Sequence, residues 1–221
     1  MKNKPLIKSR KRVVDHGEVF TSEREVNSML DLVINETKRI DSRFLEPACG
    51  DGNFLVQILK RKLDVVNTLY RNNVSEFNKN SVMAITSIYG VELLDDNVTI
   101  CRIRLSDVFK ENYKRIHKVV DERIMEVVKH ILEQNIICGD ALTLKESNGS
   151  GKPLVFSEWS FIGSNIKQRQ YTLSELLETA PSDNENLFSD MWDEVFIPRP
   201  IREFPLVNYL KVGLIDEEKW L

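Results

Sequence analysis

Hydrophobic positions recur along much of the chain at intervals of three and four, the spacing typical of one apolar face on a helix. This pattern predicts helices that cover residues 23–40, 53–70 and 95–134, the last as one or two helices. Thr21 or Ser22 caps the first of them, and Glu25 is placed to complete a capping box. Residues 72–79 are polar and predict a loop or a helix end.

Short apolar runs lie between these stretches and predict buried strands. The runs cover residues 43–48, 84–93, 135–141 and 154–159. Strands that alternate with helices are the order of a parallel sheet with crossover helices. We therefore expect an α/β protein, with a turn over 146–152 before the fourth strand.

The pattern weakens after Ser160. We predict a short helix over 172–178, a polar linker over 180–186, and one or two strands in the proline-containing stretch 194–212. The domain plan is a basic arm over 1–12, an α/β domain over 13–160, and an irregular extension over 161–221 packed on the same domain.

Composition narrows the class of protein. The chain of 221 residues is 42% hydrophobic and 29% charged, as in ordinary soluble proteins, with no apolar run long enough for a membrane span. The three cysteines form no CxxC pair, which favours reduced thiols, a cytoplasmic location and no metal site. With 31 basic and 34 acidic residues the formal charge is −3, so the total charge does not indicate nucleic-acid binding.

The charges are unevenly distributed, and the N-terminal stretch is strongly basic although the net charge is negative. Six of the first twelve residues are basic and none is acidic: Lys2, Lys4, Lys8, Arg10, Lys11 and Arg12. One interpretation is a solvated, partly disordered arm. The other is an arm that contacts phosphate groups, whose binding would then depend on salt.

The stretch FLEPACGDGNF joins the first predicted strand to a helix. Gly50 and Gly52 allow positive φ angles and a close approach of a ligand to the backbone, and the helix beginning near Asn53 directs its amides at the same point. A dinucleotide fingerprint would have a third glycine where this chain has Leu55, so nicotinamide or flavin binding is disfavoured. A tight turn without a ligand is the other interpretation.

Acidic residues end three successive predicted strands: Glu46, Glu92 and Asp140. A carboxylate at the end of a buried strand is costly unless it meets a cation or hydrogen-bond donors. Glu46 suits an ammonium or sulfonium group, Glu92 the hydroxyls of a ribose, and Asp140 an exocyclic amine. Each acid alone could merely cap the next helix, but three at one sheet edge indicate a ligand site.

Residues 46–54 (EPACGDGNF) resemble the S-adenosylmethionine-binding first motif of the amino-methylating DNA methyltransferases, most closely the adenine-N6 type of restriction–modification systems. HGEVFTS is similar to the family's upstream GxFxT segment, and YGVE and CGDAL resemble its second and third cofactor motifs. The resemblance covers roughly residues 13–160. It implies a Rossmann-like class I methyltransferase fold with a mostly parallel sheet, shortened here at its C-terminal side.

The resemblance also implies a cofactor, S-adenosylmethionine, and DNA as a partner, together with a restriction or specificity subunit. The residues carried over for cofactor binding are Phe20, Thr21, Glu46, Ala48, Gly50, Gly52, Asn53, Phe54, Glu92 and Asp140. No membrane partner and no metal ligand are implied.

The sequence departs from the family at its catalytic motif. The family's fourth strand ends in Asn/Asp-Pro-Pro-Tyr/Phe, which holds the target amine and stacks the flipped base. This chain has Ser157, Glu158 and Trp159 at the corresponding place and no such motif anywhere. These three residues are the candidates for catalysis, as a turn beside the methyl group, although buried packing is the other interpretation of Trp159. The alternative function is a catalytically inactive relative that binds cofactor, DNA or a partner.

Overall fold

The computed structural model describes residues 7–178 and 198–214. Three parallel strands form the centre of its first sheet. They are β1 (Phe44–Glu46), β2 (Ile88–Glu92) and β3 (Ile136–Asp140). β2 lies between the other two, with Glu46 opposite Gly90 and Glu92 opposite Cys138. A short strand, β4 (Lys145–Glu146), pairs antiparallel with β3. The predicted parallel arrangement of the first three strands is confirmed.

The segment before β1 holds three helices: α1 (Arg10–His16), α2 (Glu23–Asp31) and α3 (Ile34–Thr37). The predicted capping box of α2 is confirmed, because the Ser22 hydroxyl accepts from the Glu25 amide and the Glu25 carboxylate accepts from the Ser22 amide. The single helix predicted over 23–40 is wrong. It divides after Asp31, and Met29 and Val33, which the helical spacing places on one face with Val26 and Leu30, are about half exposed.

Helix pairs connect the parallel strands. Between β1 and β2 lie α4 (Asn53–Tyr70) and α5 (Val74–Thr86). Between β2 and β3 lie α6 (Asp95–His117) and α7 (Glu122–Asn135). The predicted bounds of α4 are confirmed, as are two helices in the 95–134 stretch. In the described part of the chain, no helix has the length and apolarity needed to cross a membrane.

Helix α5 occupies most of the stretch 72–79, predicted to be a loop or a helix end, and it also takes residues 84–86 from the predicted second strand. Asn73 caps it through a hydrogen bond from the Glu76 amide. The polarity that suggested a loop is misleading, because Asn78 and Asn80 are buried together with Phe77. Tertiary packing therefore overrides the local polar composition here.

A buried lysine supports the approach to β1. Lys62 of α4 is fully buried, and its ammonium donates to the carbonyl oxygens of Arg39 and Ile40 at 3.0 Å each and to that of Ser42. Burial lowers the pKa of Lys62 to about 7. These bonds tie the loop before β1 to the middle of α4, which fixes where the first strand begins.

A second sheet is antiparallel. It contains β5 (Val155–Ile162), β6 (Asn165–Thr172), β7 (Arg202–Glu203) and β8 (Val207–Asn208), with α8 (Leu173–Glu178) after β6 and a 3-10 helix over Tyr209–Lys211. The prediction that the fourth strand extends the parallel sheet is wrong, because β5 belongs to this separate antiparallel sheet and pairs with β6 along its whole length. The short helix after 172 and the two short strands after 198 are confirmed. The predicted linker at 180–186 lies outside the described residues.

The second sheet packs against one face of the first. Neighbouring residues of a strand point to opposite faces. A Cβ at Gly90 would contact Cys49, in the turn after β1, and Leu55 of α4. The neighbouring Tyr89 points the other way, and its ring packs edge to face on Phe156 of β5, with the ring centroids 5.5 Å apart. The helix α4 and the β5–β6 hairpin therefore cover opposite faces, and the carboxyl ends of the parallel strands stay open.

Candidate functional site

A cavity of about 550 Å³ lies at the carboxyl ends of the three parallel strands. Its walls are the segment of residues 17–21, which we call the strap, the turn after β1, and the ends of β2 and β3. Nine of the ten residues predicted to bind cofactor line it: Phe20, Thr21, Glu46, Ala48, Gly50, Asn53, Phe54, Glu92 and Asp140. The parallel topology brings these sequence-distant residues together, as expected for the carboxyl edge of such a sheet.

The glycine turn has the backbone geometry that the sequence indicates. Gly50 has φ 53° and Gly52 has φ 87°, a region that other residues rarely adopt. A Cβ at Gly50 would lie 3.2 Å from the Phe20 ring, and one at Gly52 would lie 2.6 Å from Cys101 Sγ. Gly52 does not line the cavity itself. It lets α4 approach α6 while the turn faces the cavity.

Asp51 anchors this turn to α6. Its side chain is 2% exposed and pairs with Arg104 of α6, with Arg104 Nη1 2.7 Å from Asp51 Oδ1. The same guanidinium nitrogen donates to the Asp51 carbonyl oxygen. Sequence reasoning missed this pair, because nothing in the local pattern connects Asp51 with a residue 53 positions later.

Glu92 holds the glycine turn against the end of β2. One carboxylate oxygen accepts from the Gly50 amide at 2.9 Å, and the other accepts from the Leu94 amide at 3.0 Å and from Asn97 Nδ2 at 3.3 Å. The side chain is 8% exposed, so these donors offset much of the cost of burying a carboxylate. Glu92 also lines the cavity.

The other two strand-end acids have different environments. Burial raises the pKa of Glu46, opposed by a hydrogen bond from the Ala48 amide at 3.4 Å. At Asp140 a hydrogen bond from the Leu142 amide, 2.8 Å long, lowers the pKa of the carboxyl. Glu46 therefore suits a cationic ligand group that would stabilise its charge, whereas the Asp140 carboxyl already accepts a hydrogen bond from the backbone.

The strap is held over the cavity at both ends. At one end Asn53 Nδ2 donates to the Thr21 carbonyl oxygen at 2.9 Å, and the Phe20 ring packs on Gly50. At the other, Glu18 pairs with Arg12 at 2.8 Å. Glu18 also lines the cavity, and sequence reasoning missed it although it lies within the HGEVFTS motif.

The basic arm is only partly within the described residues, since Lys2 and Lys4 lie outside them. Lys8 and Arg12 do not form a solvated arm, because both pair with Asp96 at the start of α6, at 3.0 Å and 2.7 Å. The pairing of these two residues departs from the solvated interpretation of the arm, whereas the phosphate-contacting interpretation stays a prediction. Arg10 and Lys11 are exposed on α1.

The three residues predicted to be catalytic lie elsewhere. Ser157, Glu158 and Trp159 occupy the middle of β5, so the predicted turn is wrong: β6 pairs with this strand from Val155 to Ile162. None of the three belongs to the described lining of the cavity. Their positions give a catalytic role no geometrical support.

Each of these side chains has a structural partner. Trp159 is 6% exposed, and its Nε1 donates to Asn135 Oδ1 at 2.9 Å. The buried Ser157 hydroxyl accepts from Gln168 at 2.9 Å, and Glu158 pairs with Arg43 at 2.8 Å. The packing interpretation of Trp159 is therefore the one that the structure bears out.

Comparison with known proteins gives the family. Residues 20–152 match the family model described as MmeI, DNA-methyltransferase domain, which is more than half of the chain. The chain is also similar to a putative type II restriction enzyme and methyltransferase, RM.MjaORFECS2P of Methanocaldococcus jannaschii. The two are 28% identical over 133 residues, which cover 52% of this chain and 11% of the relative. No solved structure matches the chain.

The matched region begins at Phe20 within the strap and ends after the β4 turn, so it contains the glycine turn and the ends of β2 and β3, whereas residues 17–19 of the strap precede it. The β5–β6 hairpin lies outside it. The resemblance read from the four short motifs is thereby confirmed, and this chain belongs to the MmeI-type DNA-methyltransferase domain family of restriction–modification systems.

Proposed function

We propose that the strand-end cavity binds S-adenosylmethionine, and that the chain is the cofactor-binding part of a restriction–modification methyltransferase that acts on the N6 amine of adenine in DNA. The observation that carries this proposal is the convergence of Glu46, Glu92 and Asp140 with the glycine turn on one cavity. Its volume, about 550 Å³, lies within the range of about 300–1,000 Å³ usual for small-molecule sites. The fold is then a Rossmann-like class I domain.

Each acid has a proposed partner on the cofactor. Glu46 suits the methionine ammonium group, because a cation would offset the burial that raises the pKa of its carboxyl. Glu92 is fixed by three donors and would accept the ribose hydroxyls, and Asp140 would accept from the adenine amine. When bound, the cofactor supplies a methyl group that its sulfonium already activates.

The strap and the glycine turn would position the cofactor. Phe20 packs on Gly50 and lines the cavity beside the glycine turn. The first amides of α4 point toward the same turn and suit the cofactor's carboxylate. DNA, and a restriction or specificity subunit, are the proposed partners.

A second candidate is a cofactor- or partner-binding module without transferase activity. The placement of Ser157–Trp159 inside a hairpin favours it, since the sequence contains no Asn/Asp-Pro-Pro-Tyr motif elsewhere. Both candidate functions use the same cavity, and they differ in whether the bound cofactor's methyl group is transferred to DNA.

Calorimetric titration with S-adenosylmethionine and S-adenosylhomocysteine tests the cavity. We expect micromolar binding, and Glu92→Gln should weaken it by about tenfold to a hundredfold, because a hydrogen bond to a charged group contributes about 1.5–3 kcal/mol. Glu111→Gln, an exposed acid on α6 outside the cavity, is the matched control. A folded wild-type chain that binds neither compound would contradict the proposal.

A transfer assay then separates the two candidates. Wild-type chain is incubated with DNA and cofactor labelled in the methyl group, and label is measured in the DNA. Label that appears in adenine supports the transferase, whereas binding without incorporation supports the module.

A further inference from the structure

Arg12 lies at the centre of an ion-pair network beside the cavity. Its Nε and Nη2 donate to the two oxygens of Glu18 at 2.8 Å each. Its Nη1 and Nη2 donate to the two oxygens of Asp96 at 2.7 and 3.0 Å. The planar guanidinium thus binds two carboxylates in bidentate fashion, a geometry that a lysine ammonium does not reproduce.

Glu18 depends on this arginine. Its side chain is 8% exposed and lines the cavity, so its charge is costly without a cation. Its Oε1 also accepts from Asn97 Nδ2 at 2.7 Å. The same amide donates to Glu92 Oε1 at 3.3 Å, and Asn97 is fully buried. Arg12 is therefore connected through two side chains to the acid that holds the glycine turn.

The network also sets the position of the strap. Glu18 precedes Val19, Phe20 and Thr21, and the far end of the strap is fixed by Asn53. Gly17 ends α1 with φ 66° and turns the chain toward the cavity. The near end of the strap is consequently held to the start of α6 by Arg12, with Lys8 pairing with the same Asp96.

We propose that Arg12 is a positioning residue, the latch that holds the strap over the cavity and sets how long a cofactor stays bound. This proposal rests on the proposed cofactor site. Asp96 is 51% exposed, so dissolved ions reach its half of the latch, whereas Glu18 is shielded. The latch therefore weakens as salt concentration rises.

The test compares Arg12→Met with Arg10→Met, which removes an exposed arginine from the same helix. S-adenosylhomocysteine is the probe, because its ammonium and carboxylate leave it without net charge and its own binding depends little on salt. Its dissociation rate is measured by stopped flow at low and high salt. Hydrogen exchange of residues 17–21 is measured without ligand.

We expect Arg12→Met to raise the dissociation rate about tenfold or more at low salt, in line with the loss of charge-assisted hydrogen bonds. Salt should accelerate dissociation from the wild type but hardly from this variant. Arg12→Lys, which keeps the positive charge, should raise the dissociation rate less than Arg12→Met and should keep part of its salt dependence. Arg10→Met should match the wild type, and strap exchange should be faster only without Arg12.

Equal dissociation rates, salt dependence and strap exchange in Arg12→Met and the wild type would overturn the latch. A wild type that binds no probe would instead overturn the proposed cofactor site. In that case hydrogen exchange of the strap still tests the latch. Faster exchange in Arg12→Met but not in Arg10→Met supports a latch on the strap, and unchanged exchange in Arg12→Met overturns it.

Discussion

The two sheets of this protein use their residues differently. The parallel sheet directs Glu46, Glu92 and Asp140 from three strand ends into one cavity, although these residues are far apart in the sequence. The antiparallel hairpin β5–β6 places Phe156 and Trp159 in the core and brings no residue predicted to be catalytic to that cavity. Parallel strands all end at the same edge of their sheet, so residues that follow them meet there, whereas Ser157–Trp159 lie in the middle of a strand of the hairpin.

The parallel sheet forms the candidate site, whereas the β5–β6 hairpin contributes to the core. The family match ends at residue 152, before the hairpin begins. Substitutions in the hairpin should therefore act on stability, and substitutions at the strand ends should act on ligand binding. The first prediction below tests this division, and the others compare how single residues in each region contribute to stability.

The largest expected effect is on stability, from Trp159→Ala. It removes a buried side chain and leaves Asn135 Oδ1 without its donor, so we expect a loss of about 3–5 kcal/mol in unfolding free energy. Urea unfolding followed by circular dichroism measures it. Cofactor affinity should stay unchanged wherever the variant is folded.

Trp159→Phe is the control and should cost about 1–2 kcal/mol, because it keeps much of the packing and loses the hydrogen bond. A stable Trp159→Ala chain that binds cofactor normally but loses a measurable methyl transfer would restore the catalytic interpretation of the hairpin.

Two glycines offer a matched pair, one in each region. Gly52→Ala places a methyl group 2.6 Å from Cys101 Sγ at φ 87°, so we expect a loss of about 2–4 kcal/mol. Gly163→Ala, in the hairpin turn at φ 61° with nothing within 4 Å, should cost only about 1 kcal/mol. Denaturant midpoints of both variants give the comparison. Equal losses would mean that contact with α6 is unimportant at Gly52.

The smallest expected effect concerns pH. Hydrogen bonds from Arg12, and then Lys8, lower the pKa of Asp96 below its ordinary value. A lowered pKa stabilises the folded chain above about pH 4 and loses that contribution as the pH falls further. Because Asp96 is half exposed, we expect less than about 1 kcal/mol.

Unfolding free energy measured from pH 6 downward in the wild type and in Asp96→Asn tests this effect. The wild type should lose its advantage over Asp96→Asn as the solution becomes acidic. A constant difference between the two chains would show that the ion pairs at Asp96 do not contribute to stability.

Some elements were predictable because their determinants are local. The capping box at Ser22, the bounds of α4 and the positive φ angles of Gly50 and Gly52 follow from residues adjacent in the chain. The polar stretch before Ser81 was misread because its asparagines are buried by α5 packing, which no local pattern records.

The sequence by itself determined the family, the order of the three parallel strands, the helix α4 and the acids at the strand ends, because motif spacing and hydrophobic period are properties of the chain alone. Only the tertiary structure decided that β5 leaves the parallel sheet and that Arg12, Glu18, Asn97 and Glu92 form one network. Strand pairing and ion pairs join residues far apart in sequence, and their partners are selected by packing of the whole molecule.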